Sequence, residues 1–175
     1  MRRAVVTLLA QALLLWAMES RAAEKQWNVG GIFGYGLAGV PGGPAHGFGG
    51  GPVVTYGIID YLNARLHLDV TGYDLPDPAT TAFIWNGGAG IEVVIDIIQF
   101  VPYLGLTVGP ADVATVDGDD VWHWSIEVPS GGRYFITRNI AVGFEVRYRA
   151  LVFGREDSPV HNFIAAGSFG YAWGY

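Results

Sequence analysis

The feature that most limits what this chain can become is the alternation in its final stretch. From Phe163, every second residue is Phe163, Ala165, Gly167, Phe169, Tyr171, Trp173 and Tyr175, and between them stand Ile164, Ala166, Ser168, Gly170, Ala172 and Gly174. Side chains on a β-strand alternate between two faces, so this is a strand with one bulky aromatic face and one small face. Left as an edge it would invite aggregation, so the pattern predicts closure against another strand and an apolar environment for the aromatic side.

The same period of two recurs through the chain. Leu62, Ala64, Leu66, Leu68 and Val70 alternate strictly with Asn63, Arg65, His67, Asp69 and Thr71. Similar patterns predict strands over Gln26 to Ala38, Val53 to Ile59, Phe83 to Ile95, Tyr103 to Val108, Trp122 to Phe135 and Ile140 to Tyr148, eight in all. Glycine- and proline-rich Gly39 to Pro52 reads as a long loop, as do Leu75 to Thr81, acidic Asp112 to Asp120, and Gly154 to Pro159. Pro129 within the sixth strand predicts a bulge. Three similar hairpins, Tyr56 to Val70, Val93 to Gly109 and Arg133 to Tyr148, suggest an array of one repeated unit.

At the other end, Arg2 and Arg3 precede an apolar run from Ala4 to Ala17 and then Ser20-Arg-Ala-Ala23. This is the layout of a secretory signal peptide, and the run is shorter than the roughly 20 residues that span a bilayer. The expected division is a signal peptide at 1–23 and one domain at 24–175. Cleavage would remove three arginines and Glu19, taking the formal charge from −6 to −8, which argues against nucleic acid as a partner. Without cysteine there are no disulfides, thiol nucleophiles or lipid-anchored termini. Charged residues are only 15% and apolar ones 51%, a composition suited to a chain solvated by something other than water.

Two closed barrels fit eight such strands. A soluble barrel turns its apolar face inward, a membrane barrel outward. The interior of an eight-stranded barrel holds little more than side chains, too little for Trp27, Phe33, Tyr35, Trp85, Trp122, Trp124, Phe144, Tyr148, Phe169, Tyr171, Trp173 and Tyr175 together. The opposite face, with many glycines and the polar set Arg65, His67, Asp69, Glu92, Glu127, Glu145, Arg147 and Arg149, fits inside. A charge facing lipid at the midplane costs roughly 2–4 kcal/mol. Five of them would cost on the order of 10–20, against a typical stability of about 5–15 kcal/mol. The expectation is an all-β, eight-stranded antiparallel up-and-down transmembrane β-barrel. Trp27, Tyr35, Trp85, Trp122, Trp124 and Tyr148 then face lipid, and opposite charges pair into a plug.

The segments Gly90-Ile-Glu-Val-Val, Phe100-Val-Pro-Tyr-Leu-Gly-Leu and Gly132-Arg-Tyr-Phe-Ile-Thr-Arg-Asn-Ile-Ala-Val-Gly-Phe-Glu-Val-Arg-Tyr, with the aromatic final strand, resemble the small outer-membrane β-barrel family related to OmpA and OmpX. The resemblance spans the mature chain and implies a monomer in the outer membrane of a Gram-negative envelope, reached by Sec export through the periplasm. It also implies short periplasmic turns, long external loops, contact with outer-membrane lipid and lipopolysaccharide, and no cofactor. In that family the aromatic last strand is the signal read by the barrel assembly machinery, and Phe169, Tyr171, Trp173 and Tyr175 match it. The implied role is structural or surface-interacting, with a narrow channel or a carrier of small apolar molecules as another reading.

Candidate chemistry is sparse. Gly34-Tyr-Gly-Leu-Ala-Gly39 matches a dinucleotide fingerprint but lacks the helix that binds phosphate. His123-Trp-Ser125 is similar to the His-x-Ser pair of outer-membrane lipid A deacylases, with Glu127 or Glu145 to orient the ring; the residues after it depart from that pattern, and alternation turns the pair away from lipid. Asp117, Asp119 and Asp120, with Asp112 nearby, offer carboxylates to calcium but lack an EF-hand frame, and read as a solvated acidic loop. His46 and His161 have no metal-ligand spacing.

Overall fold

The computed structural model describes residues 25–40, 42–75, 81–95, 99–115, 121–152 and 161–174. Among these, eight strands form one closed antiparallel barrel: β1 (Trp27–Val40), β2 (Gly43–Ile59), β3 (Leu62–Asp74), β4 (Thr81–Val94), β5 (Phe100–Thr115), β6 (Val121–Phe135), β7 (Ile140–Val152) and β8 (His161–Trp173). Each strand pairs with its sequence neighbours, and β8 closes on β1 from Trp27 opposite Trp173 to Gly39 opposite His161. Closure leaves no unpaired edge, which disposes of the hazard of an aromatic final strand. The expected signal peptide at 1–23, Asp117, Asp119, Asp120, Tyr175 and all of Gly154 to Pro159 lie outside the described residues.

The burial pattern is inverted relative to a water-soluble protein. Phe33 and Trp122 are each 68% exposed, while Arg147, Arg149, Glu92 and Glu127 are 0% exposed. Alternation does this residue by residue: in β3, Leu66 and Leu68 stand outside while Arg65, His67 and Asp69 are buried inside.

Three expectations need correction. Gly39 to Pro52 is not a loop, because β1 runs to Val40 and β2 starts at Gly43, joined by a tight turn in which Gly42 takes a φ of 94°. The glycines of β2 answer to close strand approach: a Cβ on Gly49 would lie 2.2 Å from the Val70 carbonyl oxygen, and on Gly51 1.9 Å from that of Leu68. Glycine density read as flexibility was in fact packing. Second, the acidic loop does not begin at Asp112, which lies within β5 and pairs with Trp85 on β4 and Trp122 on β6. Third, Pro129 produces no bulge. It sits opposite Arg147 in an unbroken ladder with β7, and the β5–β6 register is the same on both sides of it, Leu104 facing Ser130 and Thr107 facing Glu127. Proline there removes one donor without inserting a residue.

At the end of the barrel bearing Lys25, β2 and β3 are joined through Asp60 and Tyr61, and β6 and β7 through 136–139. In the second turn the Thr137 hydroxyl accepts from the backbone N–H of Ile140 at 3.0 Å, and Ile136 N–H donates to Ile140 O at 2.9 Å. At the opposite end an apolar layer of Ala38, Ala45, Tyr73, Ile84, Ala111, Val113 and Leu151 fills the interior.

Candidate functional site: a chain of ion pairs through the lumen

Between these ends the lumen holds a continuous series of charge pairs. It starts at Arg133 on β6, whose guanidinium donates to both Glu92 oxygens at 2.7 Å in a two-pronged pair. Glu92 on β4 accepts from Arg65 at 3.0 Å, and Arg65 on β3 donates across the barrel to Glu145 at 2.6 Å. Glu145 on β7 accepts from Arg147 at 2.6 Å and from the Tyr103 hydroxyl at 2.7 Å. Arg147 reaches Asp69 at 2.7 Å and Glu127 at 3.1 Å, and the same two carboxylates take Arg149 at 2.6 and 2.8 Å.

Four guanidinium groups thus meet four carboxylates, all but Arg133 at most 3% exposed. Isolated, each charge would cost several kcal/mol to bury; the alternation of signs, with two or more hydrogen bonds per group, is what makes burial tolerable. Arg133 also lies over the Tyr103 ring, 4.4 Å from its centroid, a favourable cation–π placement.

Strand periodicity explains why so many charges share one interior. Glu145, Arg147 and Arg149 are two apart on β7, and Arg65, His67 and Asp69 two apart on β3, so each trio projects to one side. The charged strands are β3, β4, β6 and β7. The facing wall of β8, β1 and β2 presents Ile32, Val53, Ile164 and Ala166. Charges project from one wall toward an uncharged wall that also carries the polar Thr55 and Asn162.

The polar residues read from alternation, Arg65, His67, Asp69, Glu92, Glu127, Glu145, Arg147 and Arg149, all lie buried in the lumen. Arg133, Tyr103, Asn63 and Asn86 join them and were missed. Arg133 has the same parity as Glu127, a usable signal that an expected bulge at Pro129 obscured. Asn86 donates to Glu127, and Asn63 to Glu92 at 2.9 Å.

The candidate chemistry does not assemble. The Ser125 hydroxyl lies 2.6 Å from Asn86 Oδ1 and 3.1 Å from Gly109 O, so its proton is engaged, and it makes no hydrogen bond to His123. Neither ring nitrogen of buried His123 has a hydrogen-bond partner among the described residues. Glu127 and Glu145 are committed to arginines. The Gly34 to Gly39 motif lies inside β1. His67, Asp69 and Glu127 bring possible metal-ligand atoms within 4.8 Å of one another. Arg147 and Arg149 already occupy those carboxylates and place two positive charges there, so the set does not suit a cation.

On the outside, Trp27, Tyr35, Trp85, Trp122, Trp124, Phe169, Tyr171 and Trp173 are exposed, while Tyr148 is half-buried, packing on Phe163 with ring centroids 5.0 Å apart. His46 and His161 are outward too, hydrogen-bonded to Tyr35 and Tyr148.

No family model and no curated protein matches the chain. Solved structures do. The chain superposes on Neisserial surface protein A with a TM-score of 0.69 at 21% identity, covering 83% of this chain and 96% of that one. The fold is that of the small outer-membrane β-barrels. The N-terminal barrel domain of Pseudomonas aeruginosa OprF aligns with a TM-score of 0.59 at 13% identity, covering 86% of this chain and 98% of that one. For Ail, the attachment invasion locus protein of Yersinia pestis, the values are 0.55, 12%, 86% and 99%. At such identities the agreement concerns the fold alone.

Proposed function

We propose that this chain is an outer-membrane barrel, exported by the Sec pathway with residues 1–23 as its signal peptide, that works as a monomeric, plugged scaffold for surface contacts. The observation that carries this is the charge-balanced series from Arg133 to Arg149 inside a wall whose exterior is aromatic and aliphatic. A narrow interior crossed by guanidinium–carboxylate pairs supports the reading of a scaffold in preference to a pore. The aromatic β8 serves as the assembly signal. Surface contacts fall to the end holding the connections at 75–81, 115–121 and 152–161, in a bilayer of outer-membrane lipid and lipopolysaccharide.

The test is planar-bilayer recording of the refolded protein, together with membrane fractionation and heat-modifiable gel migration. The expected result is membrane recovery, a heat-dependent mobility shift and no discrete conductance. Recovery as a soluble periplasmic protein would overturn the membrane reading, and stable unitary currents would overturn the plug.

A further inference from the structure

Two outward prolines interrupt the wall's hydrogen bonding, and both interruptions open into one groove. The β4–β5 ladder pairs Asn86 with Ala111 and Ala89 with Val108, and the described residues between them form no bridge, whereas Pro110 keeps its pairing with Trp124 on β6. That register sets Gly87 opposite Pro110. The Gly87 carbonyl oxygen points at β5, where a Cβ on Gly109 would lie 1.8 Å from it. Pro110 has no N–H, so this carbonyl lacks its ladder donor. β2 repeats the arrangement. Gly50 pairs with Val70 and Val53 with His67, which sets Pro52 opposite Leu68, while Pro52 keeps its pairing with Gly31 on β1. The Leu68 carbonyl oxygen points at β2, 1.9 Å from a Cβ on Gly51, and it too faces a proline. Pro52, Leu68, Gly87, Pro110 and Trp124 line a single outer groove of about 520 Å³, and His67 belongs to the same lining.

The polar part of this groove has a definite chemistry. Ser125 donates to Asn86 Oδ1 at 2.6 Å, which fixes the amide, and Asn86 Nδ2 then donates to His67 Nε2 at 2.9 Å. His67 therefore carries its proton on Nδ1, a buried N–H with no partner. Leu68 is the seventh of the 13 residues of β3 and Gly87 the seventh of the 14 of β4, so both carbonyls lie at mid-height, where lipid supplies no water to hydrogen-bond backbone groups. Glycine at 87 leaves that backbone open to close approach. A hydroxyl both donates, as the carbonyls require, and accepts, as the His67 N–H requires; an ether or ester only accepts, and an ammonium only donates. We propose that this groove binds an alkyl or acyl chain bearing a hydroxyl part-way along it, the hydroxyl at the Gly87 carbonyl and the chain along Leu66, Leu68, Ala89 and Val108. An apolar cleft with a few convergent polar groups is the usual form of a small-ligand site.

The inference rests on the outer face being immersed in lipid, and the experiment separates the two. Refolded protein is first checked for insertion into vesicles. Native mass spectrometry then scores retained lipid from an equal mixture of phosphatidylcholine carrying a 12-hydroxystearoyl chain and the same lipid carrying stearoyl. Wild type should favour the hydroxylated lipid by about threefold or more, the scale of one neutral hydrogen bond gained. Pro110→Ala combined with Pro52→Ala supplies the two missing N–H donors, so the double variant should insert and retain both lipids equally. If that variant does not insert, Ala89→Leu carries the test: it fills the groove from the outside and should also bring the ratio to parity. Failure of wild type to insert would overturn the membrane reading and this one with it. Insertion without preference, or an unchanged preference in the inserted variant, would overturn this inference alone.

Discussion

Replacing Glu145 by alanine should be the most damaging single change in the lumen. Its carboxylate receives Arg65 at 2.6 Å, Arg147 at 3.0 and 2.6 Å and the Tyr103 hydroxyl at 2.7 Å. Its loss leaves four guanidinium groups against three carboxylates at the centre of the series. Breaking a buried ion pair by removing one partner costs about 3–5 kcal/mol, because the remaining charge stays buried and uncompensated. Against a stability of about 5–15 kcal/mol, that takes a large share of the whole. The paired change Glu145→Leu with Arg147→Met restores equal numbers of each sign and adds apolar volume, and such replacements are neutral to favourable in other proteins. The assay is equilibrium urea unfolding in vesicles, followed by tryptophan fluorescence. Glu145→Ala should lower stability by about 3 kcal/mol or more, and the double variant should recover at least half of that. A cost below about 1 kcal/mol for Glu145→Ala would mean the lumen charges are hydrated individually, and the account of a dry, interlocked series would fail.

Three further outcomes follow from the same structure. Gly51→Val should block barrel assembly, since even a Cβ would stand 1.9 Å from the Leu68 carbonyl oxygen; loss of the heat-modifiable band reports it. Leu106→Arg, on an outward position 50% exposed, should destabilise by about 2–4 kcal/mol in bilayers if that row lies near the midplane, read by the same urea titration. Ser125→Ala should leave lipid A acylation unchanged in mass spectra and cost about 1 kcal/mol through the lost bond to Asn86.

Much of this architecture is visible in the chain because period-two alternation is a local signal. β3 and β7 show it most clearly: Leu66 and Leu68 against Arg65 and Asp69, Phe144 and Val146 against Glu145 and Arg147. Once the interior is known to be small, those charges have nowhere to go but inside. What stayed hidden depends on neighbours distant in sequence. The glycines of β2 resemble a loop until the carbonyls of β1 and β3 are seen pressing on them. Arg133 dropped out because a proline before it suggested a change of phase that register with β5 and β7 prevents. Which arginine meets which carboxylate is likewise a matter of closure: Arg65 and Glu145 are 80 residues apart, and only the circular strand order brings them across the lumen.

The most direct test of the central claim, an apolar exterior around a charged interior, uses single cysteines introduced into a chain that has none. Positions 104, 106 and 108 on β5 carry a nitroxide in vesicles, and positions 105 and 107 carry unmodified cysteine. The even positions should collide with dissolved oxygen and not with a water-soluble nickel complex, while the odd positions should resist water-soluble thiol reagents until the protein is unfolded. Even positions relaxed by the nickel complex, or odd positions that react rapidly in the folded barrel, would contradict that claim.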